Sequence, residues 1–192
     1  MRKLNLLFVS LVVLGTLATS AAQMPAMPTP KSLGEALQAN LNIAKMEFVS
    51  AADAMPEDKY SFAPSNGEFK GVRTFAVQVK HVATANYMFG SLVLGEKPPM
   101  ELGGENGPDS IKTKAEIMKF LNDSFDYLNK ALMSVTDKNA LDMVDSPFGL
   151  KMSRVSFAAF STAHPFDHYG QMVEYLRMNG IVPPASRPRP GK

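Results

Sequence analysis

Four separate runs along residues 31–179 repeat their apolar positions with the period of an α-helix. Between Lys31 and Pro56, Leu37, Leu41, Ala44, Phe48 and Ala51 recur at spacings of four and three, which lines up one helical face. Pro56 ends that run. A second helix is expected from about Val72 to Leu94, with Val77, His81, Thr84, Ala85 and Met88 on one inward face. Gly95 and Pro98-Pro99 close it, because proline cannot continue a helix. The third spans roughly Ile111 to Val135, on an inward stripe of Ile117, Leu121, Ser124, Leu128, Ala131 and Val135. The fourth begins near Ser153, a favourable N-cap residue, and runs to Asn179 ahead of Gly180. Pro165 falls inside it, so the helix either kinks there or restarts with proline at its first position.

Between these runs the chain is rich in turn residues. Residues 56–71 and 95–110 are long loops, and 136–149 is a connector with an SPFG turn. The pattern holds no convincing strand and no internal repeat. It predicts an all-α protein, a four-helix bundle with long crossover loops rather than short up-and-down connections. The bundle is expected over residues 31–182, with a Pro-rich linker at 23–30 before it and a disordered tail at 183–192 after it.

The first 22 residues follow a different pattern. Arg2 and Lys3 precede a mostly apolar run from Leu4 to Leu17, and Ser20-Ala21-Ala22 supplies small residues at a cleavage position. This is the three-part pattern of a secretory signal peptide, and the run is short for a bilayer span, which takes roughly 20 residues. Export to the periplasm or the extracellular space, with cleavage near Ala22, is therefore expected, an uncleaved N-terminal anchor being the alternative, and no membrane span is expected in the mature chain. Of 20 basic residues two leave with the leader, so the mature chain carries 18 against 18 acidic ones. No basic stripe suited to nucleic acid is visible.

Cysteine is absent, which excludes thiolate nucleophiles, disulfides and lipidation at the cleavage point. GGENG at 103–107 lacks the Lys-Ser/Thr and the preceding strand of a phosphate loop, and no serine sits in a nucleophile elbow. Candidate chemistry rests on the three histidines. His164 and His168, four apart, share one face of a helix about one turn from each other, a spacing that suits two ligands of a single metal. His81 sits midway along another helix. If the second and fourth helices are neighbours, three imidazoles converge, leaving a position open as in a catalytic metal site. Residues 164–168 lack the glutamate of the metalloprotease H-E-x-x-H motif, and histidines that merely pack in the core fit the spacing as well.

A resemblance narrows these alternatives. HPFDHYGQMVEYLRMNGIVPP at 164–184 is similar to the C-terminal helix of the DinB family, the DinB/YfiT-like metalloenzymes. VRTFAVQVKHVATANYMFG at 72–90 resembles that family's second helix, and KYSFAPSNGEFKGVRTF the segment leading into it. The resemblance covers about residues 31–185 and implies a bundle of DinB type with a three-histidine site at His81, His164 and His168. It also implies a homodimer. Pro165 departs from what a helix accommodates easily, which bears on the geometry of the histidine pair.

One divalent metal ion is thus the expected cofactor. Imidazoles suit Zn, Ni, Cu and Fe alike, with Zn, Ni or Fe foremost. Asp167 is a candidate base or orienting carboxylate beside the pair, and equally a plain surface acid. Asn86 and Tyr87 are candidates for a pocket mouth; Tyr175 and Arg177 read as packing and solvent-facing residues. The expected function is metal-dependent hydrolysis, or the thiol transfer that some relatives carry out, on an unidentified small molecule. The alternative is a non-catalytic metal- or small-ligand-binding bundle tied to stress.

Overall fold

The protein, in a computed structural model, is described over residues 29–188. The expected leader, residues 23–28 of the linker and residues 189–192 of the tail lie outside the described residues. In chain order the elements are α1 (Leu33–Ala54), a 3-10 turn (Glu57–Lys59), α2 (Phe75–Leu94), α3 (Lys114–Met133), β1 (Met143–Asp145), β2 (Lys151–Ser153), α4 (Arg154–Met178) and a second 3-10 turn (Pro184–Ser186).

Each helix starts on a hydroxyl that satisfies an otherwise orphaned backbone donor. Ser32, Thr74 and Ser153 accept from Glu35, Val77 and Ser156. Thr113 and Glu116 form a reciprocal capping box on α3. These caps place the starts of α1, α2 and α3 two or three residues inside the expected bounds, where periodicity alone cannot fix them. Gly95 ends α2 in the left-handed region at φ 74°.

The stripes expected on α1 and α3 are buried throughout and face the core, where Phe48, Phe75, Phe125 and Phe157 are fully enclosed. Around the bundle, α1 packs on α3 and α4, and α2 packs on α3 and α4. Helices α1 and α2 therefore face each other across a diagonal, as do α3 and α4. The connections 55–74 and 134–153 must cross between diagonal corners, which accounts for their length.

Three expectations need correcting. First, α2 is buried on nearly every side, and the face bearing Val77, His81 and Met88 is its least buried one. Phe75, Val79, Val82, Phe89 and Val93 fill the core instead. A helix apolar all round shows no single stripe, so its inward face was misassigned. Second, a short antiparallel hairpin exists, pairing Met143 with Ser153, Val144 with Met152 and Asp145 with Lys151. Ser146 closes it, donating both its N–H and its Oγ–H to the Leu150 carbonyl, and Gly149 turns at φ 74°. Strands of three residues are too short to show alternation, so the SPFG turn was the only visible sign. Third, α4 runs through Pro165 as one helix and does not restart there.

In the expected tail, Pro184–Ser186 packs on α1, and Arg177 of α4 donates to Ser186 Oγ at 3.1 Å. No helix among the described residues is long and apolar enough to cross a membrane.

Candidate metal centre

Because α2 and α4 are neighbours, His81 meets His164 and His168, and one ligand nitrogen from each falls within 4.8 Å of the others. Ring centroids are 4.5 Å apart for His164–His168, 4.7 Å for His81–His168 and 5.4 Å for His81–His164. The Nε2 atoms of His164 and His168 stand 3.1 Å apart, so Pro165 leaves the pair in register. Bonds of about 2.0–2.1 Å to a tetrahedral ion put ligand nitrogens roughly 3.3 Å apart, close to this separation.

Two of the imidazoles are oriented by hydrogen bonds from outside the triad. His81 Nδ1 donates to the backbone carbonyl of Glu105 at 2.7 Å, which leaves its Nε2 lone pair free. His168 Nδ1 lies 2.8 Å from Gln78 Nε2, and the same amide donates to Gln171 Oε1 at 2.6 Å. Gln78 is one turn before His81 on α2, and Gln171 three residues after His168 on α4. With Gln78 donating, His168 keeps its proton on Nε2, facing His164 Nε2. Two lone pairs for a metal require that proton on Nδ1, and the carboxamide oxygen of Gln78 can accept it after a half-turn of the amide. His164 lies edge-on to Phe89 at 5.2 Å, and its Nδ1 is a buried polar atom with no partner among the described residues.

Burial holds all three imidazoles neutral. It is the main cause that lowers His164 to about 3 and His168 to about 4, and it lowers His81 too. The neighbouring histidines and Arg73 push His164 and His168 further down, while the Glu105 hydrogen bond partly offsets the effect at His81. Three neutral imidazoles with converging nitrogens, one of them carrying an orphaned buried atom, fit a divalent ion.

The same burial predicts an acid limb in the stability of the metal-free protein. The unfolded chain binds protons to these histidines near their ordinary pKa of about 6.5, whereas the folded chain resists until far lower pH. Stability should therefore be full above pH ~6.5 and fall steadily as pH drops toward about 4. Urea midpoints measured across that window should decline in wild type, and less steeply in His164→Gln.

Asp167 is exposed, and among the described residues it bonds none of the three imidazoles; its charge only favours protonation of His168. Asn86 and Tyr87 face α3 rather than a pocket mouth: Asn86 donates to Ser124 Oγ at 3.2 Å, and Tyr87 packs between Phe120 and Tyr127. Tyr175 is buried and donates to the Arg73 carbonyl at 3.0 Å; Arg177 is exposed.

Periodicity did not reveal Gln78, Arg73 or the Glu105 carbonyl. Only Gln78 left a signal, as the residue one turn from His81. The GGENG segment proves to be the loop that delivers the carbonyl. Gly107 turns at φ 77° against α2, where a Cβ would stand 2.9 Å from Lys80 Cβ and 3.1 Å from Thr84 Oγ1. Lys80, buried, donates to the Pro108 carbonyl at 2.9 Å and ties the loop down. Gly107→Ala should cost ~1–3 kcal/mol in backbone strain and loosen the His81 contact. A lower melting temperature together with weaker metal binding is the expected result.

The triad stands between two recesses. One, of about 490 Å³, is mainly apolar and lined by His81, His164, Met88, Phe89, Phe148 and Phe160. The other, of about 510 Å³, is polar and lined by Arg73, Thr74, Gln78, Asn106 and Gln171. Glu105 borders both.

The fold agrees with known proteins. The DinB superfamily profile matches residues 40–172, a span that holds all three histidines, and the chain belongs to that superfamily. The crystal structure of a DinB-like protein from Bacillus cereus is similar, with a TM-score of 0.64 at 21% identity over 78% of this chain and 95% of that one. No curated protein matches the chain.

Proposed function

We propose that this protein is a metal-dependent enzyme acting on a small molecule, with one divalent ion held by His81, His164 and His168. The observation that carries this reading is that two of the three neutral imidazoles, His81 and His164, line an open recess instead of being sealed in the core. A site built only to brace the bundle would be closed on all sides. An ion on three neutral ligands keeps its full charge, lowers the pKa of a water or thiol and polarises a substrate oxygen. The chain's own part is to fix the imidazoles through Glu105 and Gln78 and to exclude bulk water with Phe89, Phe148 and Phe160.

Hydrolysis is the foremost reaction and thiol transfer the second. The leader pattern at residues 1–22 supports a place outside the cytoplasm, where low-molecular-weight thiols are scarce. Zn, Ni and Fe are the candidate ions. The test is turnover of activated esters and amides, and of electrophiles with an added thiol, by the metal-loaded protein and its His81→Ala variant. Turnover lost in the variant and on chelation, and restored by metal, is expected. A loaded wild type that turns over none of these substrates while holding its ion inertly would defeat the reading.

A further inference from the structure

Arg73 lies just before α2 and lines the polar recess together with Gln78, which contacts His168. Its guanidinium is held in place from one loop, with Nε donating to Asn106 Oδ1 at 3.1 Å and Nη2 to the Glu105 carboxylate at 3.2 Å. The guanidinium side chain is 30% exposed, but the Glu105 carboxylate is 84% exposed. An ion pair that open to water contributes little and exchanges easily. A positioned cation is therefore available to another carboxylate, and the guanidinium fork suits one geometrically. Among the described residues no second arginine or lysine lines this recess, which favours a single negative charge over a phosphate.

On the other side of the histidines the chemistry reverses. Phe148, at the tip of the β1–β2 hairpin and 55% exposed, stands edge-on to Phe160 at 5.2 Å. With Phe89, Met88 and Leu102 they form a wall that only an apolar body would cover favourably. The two recesses use residues near 77 and near 85 of α2, so their centres are roughly 12 Å apart along the helix axis. His81 lines the apolar recess, and Gln78, bonded to His168, lines the polar one.

From this juxtaposition we propose that the substrate is a small organic acid with an apolar, aryl-sized body, whose carboxylate takes the place of the Glu105 carboxylate on Arg73 and whose body lies against Phe148 and Phe160. The scissile or reacting group of such a molecule falls over the histidines, between the two anchors. The proposal rests on the reading of those histidines as the reacting centre, but its two anchors bind with or without metal. Arg73 and Phe148 are specificity-determining residues; Glu105 has two separate parts, its carbonyl orienting His81 and its carboxylate occupying Arg73.

The test uses ω-phenylhexanoate, its neutral amide and hexanoate, titrated calorimetrically into the full mature chain both metal-free and Zn-loaded. The arylated acid should bind at least about tenfold more tightly than its amide and than hexanoate in both forms. Arg73→Gln should abolish the preference for acid over amide, and Phe148→Ser the preference for the aryl group. Glu105→Gln should tighten the acid several-fold, because it frees Arg73 while keeping the backbone carbonyl on His81, and a gain of affinity cannot come from misfolding. Equal binding of acid and amide by wild type, or a preference that survives Arg73→Gln in both forms, overturns the proposal. A preference seen without metal, in a protein that catalyses nothing with metal, would instead leave this binding mode intact and remove the enzymatic reading.

Discussion

Replacing His81 with alanine is expected to weaken Zn binding by about two orders of magnitude or more, while Asp167→Asn leaves it within about twofold. Structural zinc sites bind with ~10–16 kcal/mol from four ligands, so one of three nitrogens is worth roughly 3 kcal/mol. His81 contributes from α2 what the α4 pair cannot supply alone: a third nitrogen within 4.8 Å, its tautomer fixed by the Glu105 carbonyl. Asp167 is exposed and touches none of the imidazoles, so removing its charge alters only the long-range field on His168. Competition against a chromophoric chelator measures both variants. Equal loss in the two would mean that Asp167 is a ligand or a direct support of one.

The second large effect is expected at Gln78, which is almost wholly buried and contacts His168 Nδ1 and Gln171. Partners of this kind are worth about 10- to 100-fold in metal affinity, because they decide which ring nitrogen keeps the proton. Gln78→Leu leaves His168 Nδ1 with no acceptor and should lower affinity by that factor. Gln78→Glu supplies a permanent acceptor and should restore or exceed wild-type affinity. The same change should destabilise the metal-free protein, where no bound ion offsets the buried carboxylate charge. Chelator competition and urea midpoints on both variants separate the two effects. A merely structural Gln78 would show parallel losses in stability and no rescue by glutamate.

The legibility of this chain in its sequence divides along physical lines. Stripes on α1 and α3 are visible because each helix buries one side and wets the other, and every residue assigned to them is buried. Helix α2 defeats the same method because it is enclosed on nearly all sides. Its polar positions, Gln78 and Thr84 among them, are buried for the site's sake and look like breaks in a stripe. The three histidines are legible as residues, since the spacing of His164 and His168 encodes one face, His81 sits midway along another helix, and the resemblance implies that the three form one site. Their surroundings were not. A backbone carbonyl from Glu105 carries no side-chain signature, and the loop that brings it is identifiable only through Gly107 pressed on Lys80 and Thr84. Arg73 looked like one of many basic residues until the fold placed it beside the imidazoles.

Pro165 shows the same limit from the other side. Its propensity argues for a break, yet α4 continues, because the residue is itself buried and the helix packs against α1 and α2. Tertiary packing outweighs a local cost of ~3 kcal/mol.

The most direct test of the account is the metal content of residues 23–192, produced without an affinity tag, beside a His164→Ala/His168→Ala double variant. Elemental analysis after incubation with Zn, Ni and Fe should find about one ion per chain in wild type and none in the variant. Wild type without bound metal under each of those conditions, or a variant that binds as much as wild type, would contradict the three-histidine centre.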